Sequence, residues 1–478
     1  EISDAKSESP IDPATPISAN KSEKGRFDLF EQQEKKIDKE LEAKKLDLRS
    51  VLSTGLNKNI NQQVREFQKE KNELKWEDNF AKFWYPHVKL NLATEDQRLQ
   101  SFRKSSTIDS PTPNSPTGTL GLEFGEYSVF NWGRDYLEYQ NNKNTYNRTN
   151  QALSEKRRQL KFNLISQYFA LVKAKKILNY RKQQLQHTSF IHRMARQKLG
   201  VGKLSSQEYY QTRTEYLRAY SLFQEAQFET IEQDQSMADL LGDQLQSTYK
   251  PIEELKFVGI NTSMQESLNL AVTQSPLARD AQFELDNANR SYKKALKENM
   301  ALPEIKLKLG AYETEFSKNG SSTQFTSGEN NRDVELVASL NLTWTLWGDG
   351  GFFNSRVIQS NYLDKRIAEV KFINAKRELE VRIQTLYRKL KYLERRAEGS
   401  ELQMKNAQSS FDSILDSYVN GRTLFANLKI GLDQLMEAQI NYEESKLQHL
   451  IKKMELADTM GLEDFPGTNF ENLAERIQ

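Results

Sequence analysis

The stretch Leu302–Leu309, LPEIKLKL, puts Ile305, Leu307 and Leu309 on one side of an extended chain and Glu304, Lys306 and Lys308 on the other. Tyr85–Leu92, YPHVKLNL, repeats the design, with Val88, Leu90 and Leu92 opposite His87, Lys89 and Asn91. Each run starts beside a proline, Pro303 or Pro86. The sequence around them is charged and reads as helix. Two near-copies of a strand start in such a chain raise one question: what does their apolar face cover?

Two more stretches alternate. One begins at Gly118, with Leu120, Leu122 and Phe124 on one face, and slips near Glu126, where a β-bulge is expected. The other is the cleanest: Val334, Leu336, Ala338, Leu340, Leu342, Trp344 and Leu346 face one way. At about 13 residues it exceeds the 9–11 that a tilted membrane strand needs. Trp132 and Trp347 close the second strand of each pair, as aromatic residues do at a membrane interface.

The totals leave little for a compact core. Of 478 residues, 37% are hydrophobic and 28% charged, which suits long helices burying narrow seams. Lys+Arg (68) and Asp+Glu (66) nearly cancel, so no basic surplus points to nucleic acid. There is no cysteine, which excludes disulfides and cysteine-ligated metal. No apolar run approaches the roughly 18 residues of a membrane helix, so any spanning segment must be β. The start at Glu1 rather than Met fits a leader already removed.

The chain repeats itself. Leu164, Leu171, Leu178 and Leu185 recur every seven residues, a coiled-coil-like seam broken by LGVGKLSS at Leu199–Ser206. Adding 219 turns Tyr168 into Tyr387, Gly202-Lys203 into Gly421-Arg422, and Ala238–Gly242 (ADLLG) into Ala457–Gly461 (ADTMG), with no gap. The second seam reads Ile383, Leu390, Ala397, Met404, Phe411, Tyr418. An ordered series of seams, turns and caps indicates internal duplication. Each half reads helix, strand, strand, long helix, turn, long helix, and the helices are too long to fold back into a globule.

The expected organisation is a polar N-terminal extension over 1–48 and helices leading into strands over 49–82 and 263–301. Strands with their loops occupy 83–132 and 302–347. Long helical hairpins occupy 133–242 and 348–461, with a connector over 243–262 and a C-terminal tail over 462–478. The fold class is mostly α with a small β part. Four strands cannot close a barrel, and bare edges in hydrocarbon cost several kcal/mol per unsatisfied group. A soluble sheet with one face on a core is the ordinary reading of such strands; if lipid covers the apolar faces instead, several chains must share one barrel.

Conventional chemistry is absent. His87, His187, His192 and His449 include no pair at metal-binding helical spacing, and no phosphate loop or nucleophile elbow occurs. Neither a cofactor nor a metal is expected, and no enzyme activity. Gly348–Gly351, GDGG, reads as a swivel from strand to helix.

At this point the chain resembles the TolC-like outer-membrane efflux proteins, from about Leu48 to Gly461. The likeness rests on the duplicated plan, the proline-led strands, the turns LGVGKLSS and YVNGRTLF, the ends ADLLG and ADTMG, and LWGDGG after the fourth strand. It implies a homotrimer whose strands form one 12-stranded barrel in the outer membrane of a Gram-negative bacterium. The helical hairpins would form an α-barrel, a periplasmic tunnel. It implies an exit duct for efflux or type I secretion, docked through its tips onto a periplasmic adaptor and so to an inner-membrane pump. With no cysteine for a lipid, the barrel alone would anchor it in outer-membrane lipid.

The adaptor-contacting tips carry over onto Gly200, Val201, Gly202, Lys203, Leu204 and Ser205, and onto Asn420, Gly421, Arg422, Thr423 and Leu424. The gate positions of the family fall on Glu208, Tyr418 and Thr423, with Arg422 beside the last, so a Glu208–Arg422 latch is expected. The acidic constriction of some members falls on Asn427 and Ile430, with Lys429 between them, and so departs from the pattern. The other expectation the residues allow is a soluble coiled-coil scaffold protein.

Overall fold

The computed structural model describes residues 43–85, 88–94, 118–300, 303–313, 334–343 and 355–476. The expectations for residues 1–42, Pro86, His87, both strand-connecting loops, Trp344, Trp347 and Gly348–Gly351 lie outside them.

Each half carries the same parts. The first has β1 (Lys44–Leu46), helices α1 (Leu48–Lys58) and α2 (Ile60–Trp84), strands β2 (Val88–Thr94) and β3 (Gly118–Phe130), then α3 (Arg134–Gly200) and α4 (Ser206–Leu241). After β4 (Tyr249–Pro251) and β5 (Glu253–Leu255), the second has α5 (Met264–Gln274), α6 (Pro276–Glu298), β6 (Glu304–Glu313), β7 (Val334–Thr343), α7 (Ser355–Val419) and α8 (Phe425–Met460), then β8 (Ala474–Arg476). The 67 residues of α3 span about 100 Å.

The duplication extends to details that the sequence pattern did not show. The leading helix of each half is broken once, at Asn59 and at Ser275. Both residues take an extended backbone, with φ −61° and −58°. Asn59 recaps its helix by accepting from Asn61 N, and in the second half Pro276 takes the first helical position, where no N–H is needed. The bounds of α1 and α5 differ by 216 residues at both ends.

The four long strands form one antiparallel sheet in the order β2-β3-β6-β7. The register of β3 on β6 shifts between Phe124 and Tyr127, where the bulge was expected, and again between Ser128 and Phe130. Trp132 follows with a left-handed φ of 60°. Its Nε1 donates to Pro303 O at 3.0 Å, beside the start of β6, and its carbonyl accepts from Lys297 Nζ of α6 at 2.6 Å, which ties the end of β3 to both.

The main core sits at the middle of the length, where Leu164, Ile165, Tyr168 and Leu171 of α3 meet Ile383 and Leu390 of α7 and Leu450, Met454 and Ala457 of α8. Leu185 and Phe411 are buried too, whereas Leu178 and Met404 are half-buried.

Two regions differ from the sequence-based plan. The fold begins before 49: β1 pairs in parallel with β4, and Leu46 and Leu48 are buried. The segment after 462 is more than a tail, since β8 pairs with β5 and Phe465, Phe470 and Leu473 join the core. Lys453 of α8 is buried beneath this layer. Its Nζ donates to Val258 O, Gly259 O and Thr468 Oγ1 at 3.1–3.2 Å, so one cation holds both connector and terminal segment. Burial pulls its pKa down to about 8, with Glu394 opposing.

Candidate functional site

Both hairpin tips are built by one device. At the end of α3, Gly202 N donates to Leu199 O and Lys203 N to Lys198 O; at the end of α7, Gly421 N donates to Tyr418 O and Arg422 N to Ser417 O. These are the two bonds of a Schellman C-cap, and they require the left-handed φ of +67° and +71° that glycine provides. Gly242 and Gly461 close α4 and α8 the same way.

The helices that leave the tips start differently. Ser205 Oγ accepts from Glu208 N at 3.2 Å and caps α4. The matching residue at α8 is Leu424, which has no capping oxygen, and Asn427 Nδ2 donates to Thr423 Oγ1 at 3.1 Å instead. Val201 and Leu424 are the exposed apolar residues of the two turns; Lys203 and Arg422 are exposed cations beside them, while Leu204 and Thr423 are half-buried. A small-residue turn with one apolar and one cationic side chain can receive another helical hairpin.

Behind the tips, Ile191 of α3 packs with Phe411 and Tyr418 of α7 and with Phe425, Leu428 and Leu432 of α8. Tyr418 is buried there, with Lys198 Nζ 5.5 Å from its ring centre and Phe425 at 6.3 Å. Burial, helped by the charge of Glu208, pushes its hydroxyl up to about 12. Within the chain, among the described residues, no ion pair joins Glu208 to Arg422. Asn427 and Ile430 are exposed on the first turns of α8.

Ion pairs that link α4 to α8 lie deeper than the turns, and the sequence reading missed them. Lys429 Nζ of α8 is 3.4 Å from Glu215 Oε2 of α4 and 3.8 Å from Asp433 Oδ2. Arg218 Nη1 of α4 is 3.5 Å from both Asp433 Oδ2 and Glu215 Oε1. Glu215 is buried. Four alternating charges close a loop between α4 and α8. The i, i+3 spacing of Glu215 and Arg218 and the i, i+4 spacing of Lys429 and Asp433 were visible, but such pairs usually mark a solvated helix face.

Among the described residues no cluster of His, Asp and Glu could hold a metal ion, and no helix is long and apolar enough to cross a membrane.

No protein family and no curated protein matches the chain by sequence. Solved structures do match it. CusC, studied for conformational changes accompanying folding and transmembrane channel formation, aligns with a TM-score of 0.70 at 14% identity, over 87% of this chain and 92% of its own. VceC, an outer membrane protein of Vibrio cholerae, aligns at 0.68 and 12% identity, over 87% and 96%. The MtrE outer membrane channel of Neisseria gonorrhoeae, solved in its open state, aligns at 0.69 and 14% identity, over 87% and 89%. The resemblance read from the sequence therefore holds at the level of architecture: this chain has the fold of the TolC-like outer-membrane channels.

Proposed function

We propose that the chain is one subunit of a homotrimeric outer-membrane channel, with its long helices in the periplasm of a Gram-negative bacterium. It acts as the exit duct of a tripartite efflux or type I secretion system, a passive conduit rather than an enzyme. One observation carries this reading. The sheet β2-β3-β6-β7 has, among the described residues, a partner on only one side of β2 and one side of β7. Val88, Phe130, Leu340 and Leu342 stand exposed on it. A soluble scaffold would present both edges and these apolar groups to water, a template for aggregation. Sister copies would pair the edges, and lipid would cover the outward apolar groups.

The tips, at Gly200–Ser205 and Asn420–Leu424, offer the docking surface for the hairpin of a periplasmic adaptor, and through it for an inner-membrane pump. The four-charge loop of Glu215, Arg218, Lys429 and Asp433 holds one hairpin to the other near that end and forms the gate. Glu208, Tyr418 and Arg422 add a second latch, made between neighbouring copies. Asn427 and Ile430 line a constriction without acidic charge.

Reconstitution into a planar bilayer tests the reading. A channel gives discrete conductance steps, and the protein fractionates with outer membranes. A chain that stays in solution without detergent and passes no ions is the coiled-coil scaffold instead.

A further inference from the structure

The duplication supplies an internal standard for each helix pair, and one pair departs from it. Helix α6 packs against α7, and its counterpart α2 packs against α3. The two contacts correspond. Trp76 of α2 stacks on Tyr146 of α3 at 5.3 Å; at the matching positions of the second half, Tyr292 of α6 lies 5.7 Å from Lys365 Nζ of α7. In the second half small side chains close the contact: Ala281 and Ala295 of α6 and Ala368 and Ala375 of α7 are all buried. The separation of packed helices follows the size of the side chains between them. Subtracting 216 on α6 and 219 on α7 gives Arg65, Asn79, Thr149 and Lys156. Longer polar and charged groups thus stand where the second half has buried alanines, and α2 and α3 leave a cavity of about 380 Å³.

Asn79, Thr149 and Lys156 line this cavity, together with Lys71, Lys75 and the half-buried Trp76 of α2. No carboxylate borders it. Among the described residues Lys71, Lys75 and Lys156 have no ion pair. The other lysines of α2 do: Lys69 pairs with Glu73 and Lys82 with Asp78. The second half is balanced at the same level. Lys71, Lys75 and Lys156 become Asn287, Ser291 and Ala375, and the positions matching other lining residues hold Lys365 and Lys371 against Glu284 and Asp364. The walls of the first-half cavity are fixed. Trp76 has Tyr139 and Tyr146 each at 5.3 Å, and Asn72 Nδ2 of α2 donates to Asn150 Oδ1 of α3 at 2.8 Å.

We infer that the groove between α2 and α3 binds a small aromatic anion, a ring bearing a carboxylate or sulfonate. The acid group sits among Lys71, Lys75 and Lys156, and the ring lies against Trp76. The volume is that of a small-molecule site. Three cations with no acid among them repel one another, and a bound anion relieves the repulsion. An aromatic ring covers what Trp76 leaves exposed. The inference goes beyond the channel reading and rests on it only in making such anions a solute of the conduit. Binding is measured without transport, so the two can fail separately.

The test is equilibrium dialysis of naphthalene-2-sulfonate against the detergent-extracted full chain, with the same detergent on both sides. The assembled protein is used because a sister copy pairing the free edge of β2 stands beside α2. The expected result is saturable binding of one probe per copy, weakened about tenfold or more in K71Q/K75Q/K156Q and unchanged in K69Q/K82Q. N79A/T149A/K156A, which restores the alanines of the second half, should weaken binding as much while keeping the helical circular dichroism. No saturable binding by the parent, or equal binding by K71Q/K75Q/K156Q, overturns the site. Inorganic phosphate that displaces the probe as well as naphthalene-2-carboxylate does overturns the aromatic part, and neutral 2-naphthalenemethanol that does so overturns the anionic part. Planar-bilayer conductance judges the channel reading, which stands under each of these outcomes.

Discussion

Gly202 and Gly421, 219 residues apart, end their helices with the same two backbone hydrogen bonds and left-handed φ values within a few degrees of each other. A built Cβ meets nothing within 4 Å at either position. Their glycine requirement is therefore conformational alone. G202A and G421A should each cost about 1 kcal/mol, the strain of a left-handed alanine. G461A is the contrast: with φ +81°, its Cβ would run into the carbonyl of Gln274. It should cost roughly 3 kcal/mol or more, because backbone must move. Thermal unfolding of the three variants checks the order; equal losses would show that the tips are packed against something.

The gate prediction turns on burial. Glu215 is buried and shared by Arg218 and Lys429, whereas Arg422 is exposed. An exposed pair contributes about 0–1 kcal/mol, and a buried, multiply paired carboxylate more. E215Q/D433N should raise single-channel conductance several-fold. E208Q/R422A should raise it less. The reverse order would place the closing contact at the turns.

Acid should loosen the middle of the molecule. His449 is buried against Phe257, and burial, with the Lys453 charge, lowers its pKa to about 4. Lys391 acts in the same direction and Glu394 against it. The folded chain then holds fewer protons than the unfolded chain between pH about 6.5 and 4. Stability is retained above pH 6.5 and falls as pH drops through that window, by up to about 3 kcal/mol per copy. His192, lowered to about 4 by burial with Arg196 and Arg213 near, contributes with the same sign. H449Q should flatten the fall in Tm between pH 7 and pH 5. A variant that tracks the parent would assign the acid sensitivity elsewhere.

Much of this fold could be read directly because it is repetitive. Leu164 to Leu185 and Ile383 to Tyr418 follow one period, and Gly202, Gly242, Gly421 and Gly461 punctuate both halves in step. The slip at Glu126 was visible because strand parity is strict. What escaped was everything held by contacts between distant segments. The break at Asn59 and Ser275 lies inside helical composition. The strand Lys44–Leu46 is three residues of charged sequence, and it exists because Tyr249–Pro251 runs beside it. At the candidate site, Glu215 and Lys429 looked like ordinary charged helix positions, and only the fold brings the long side chains of α4 and α8 within reach of each other.

The central claim is that this sheet is incomplete without sister copies. Native mass of the detergent-extracted protein tests it most directly. The account predicts three copies of the 55.5 kDa chain in one particle. A particle containing a single copy, with its strands still formed, would contradict it.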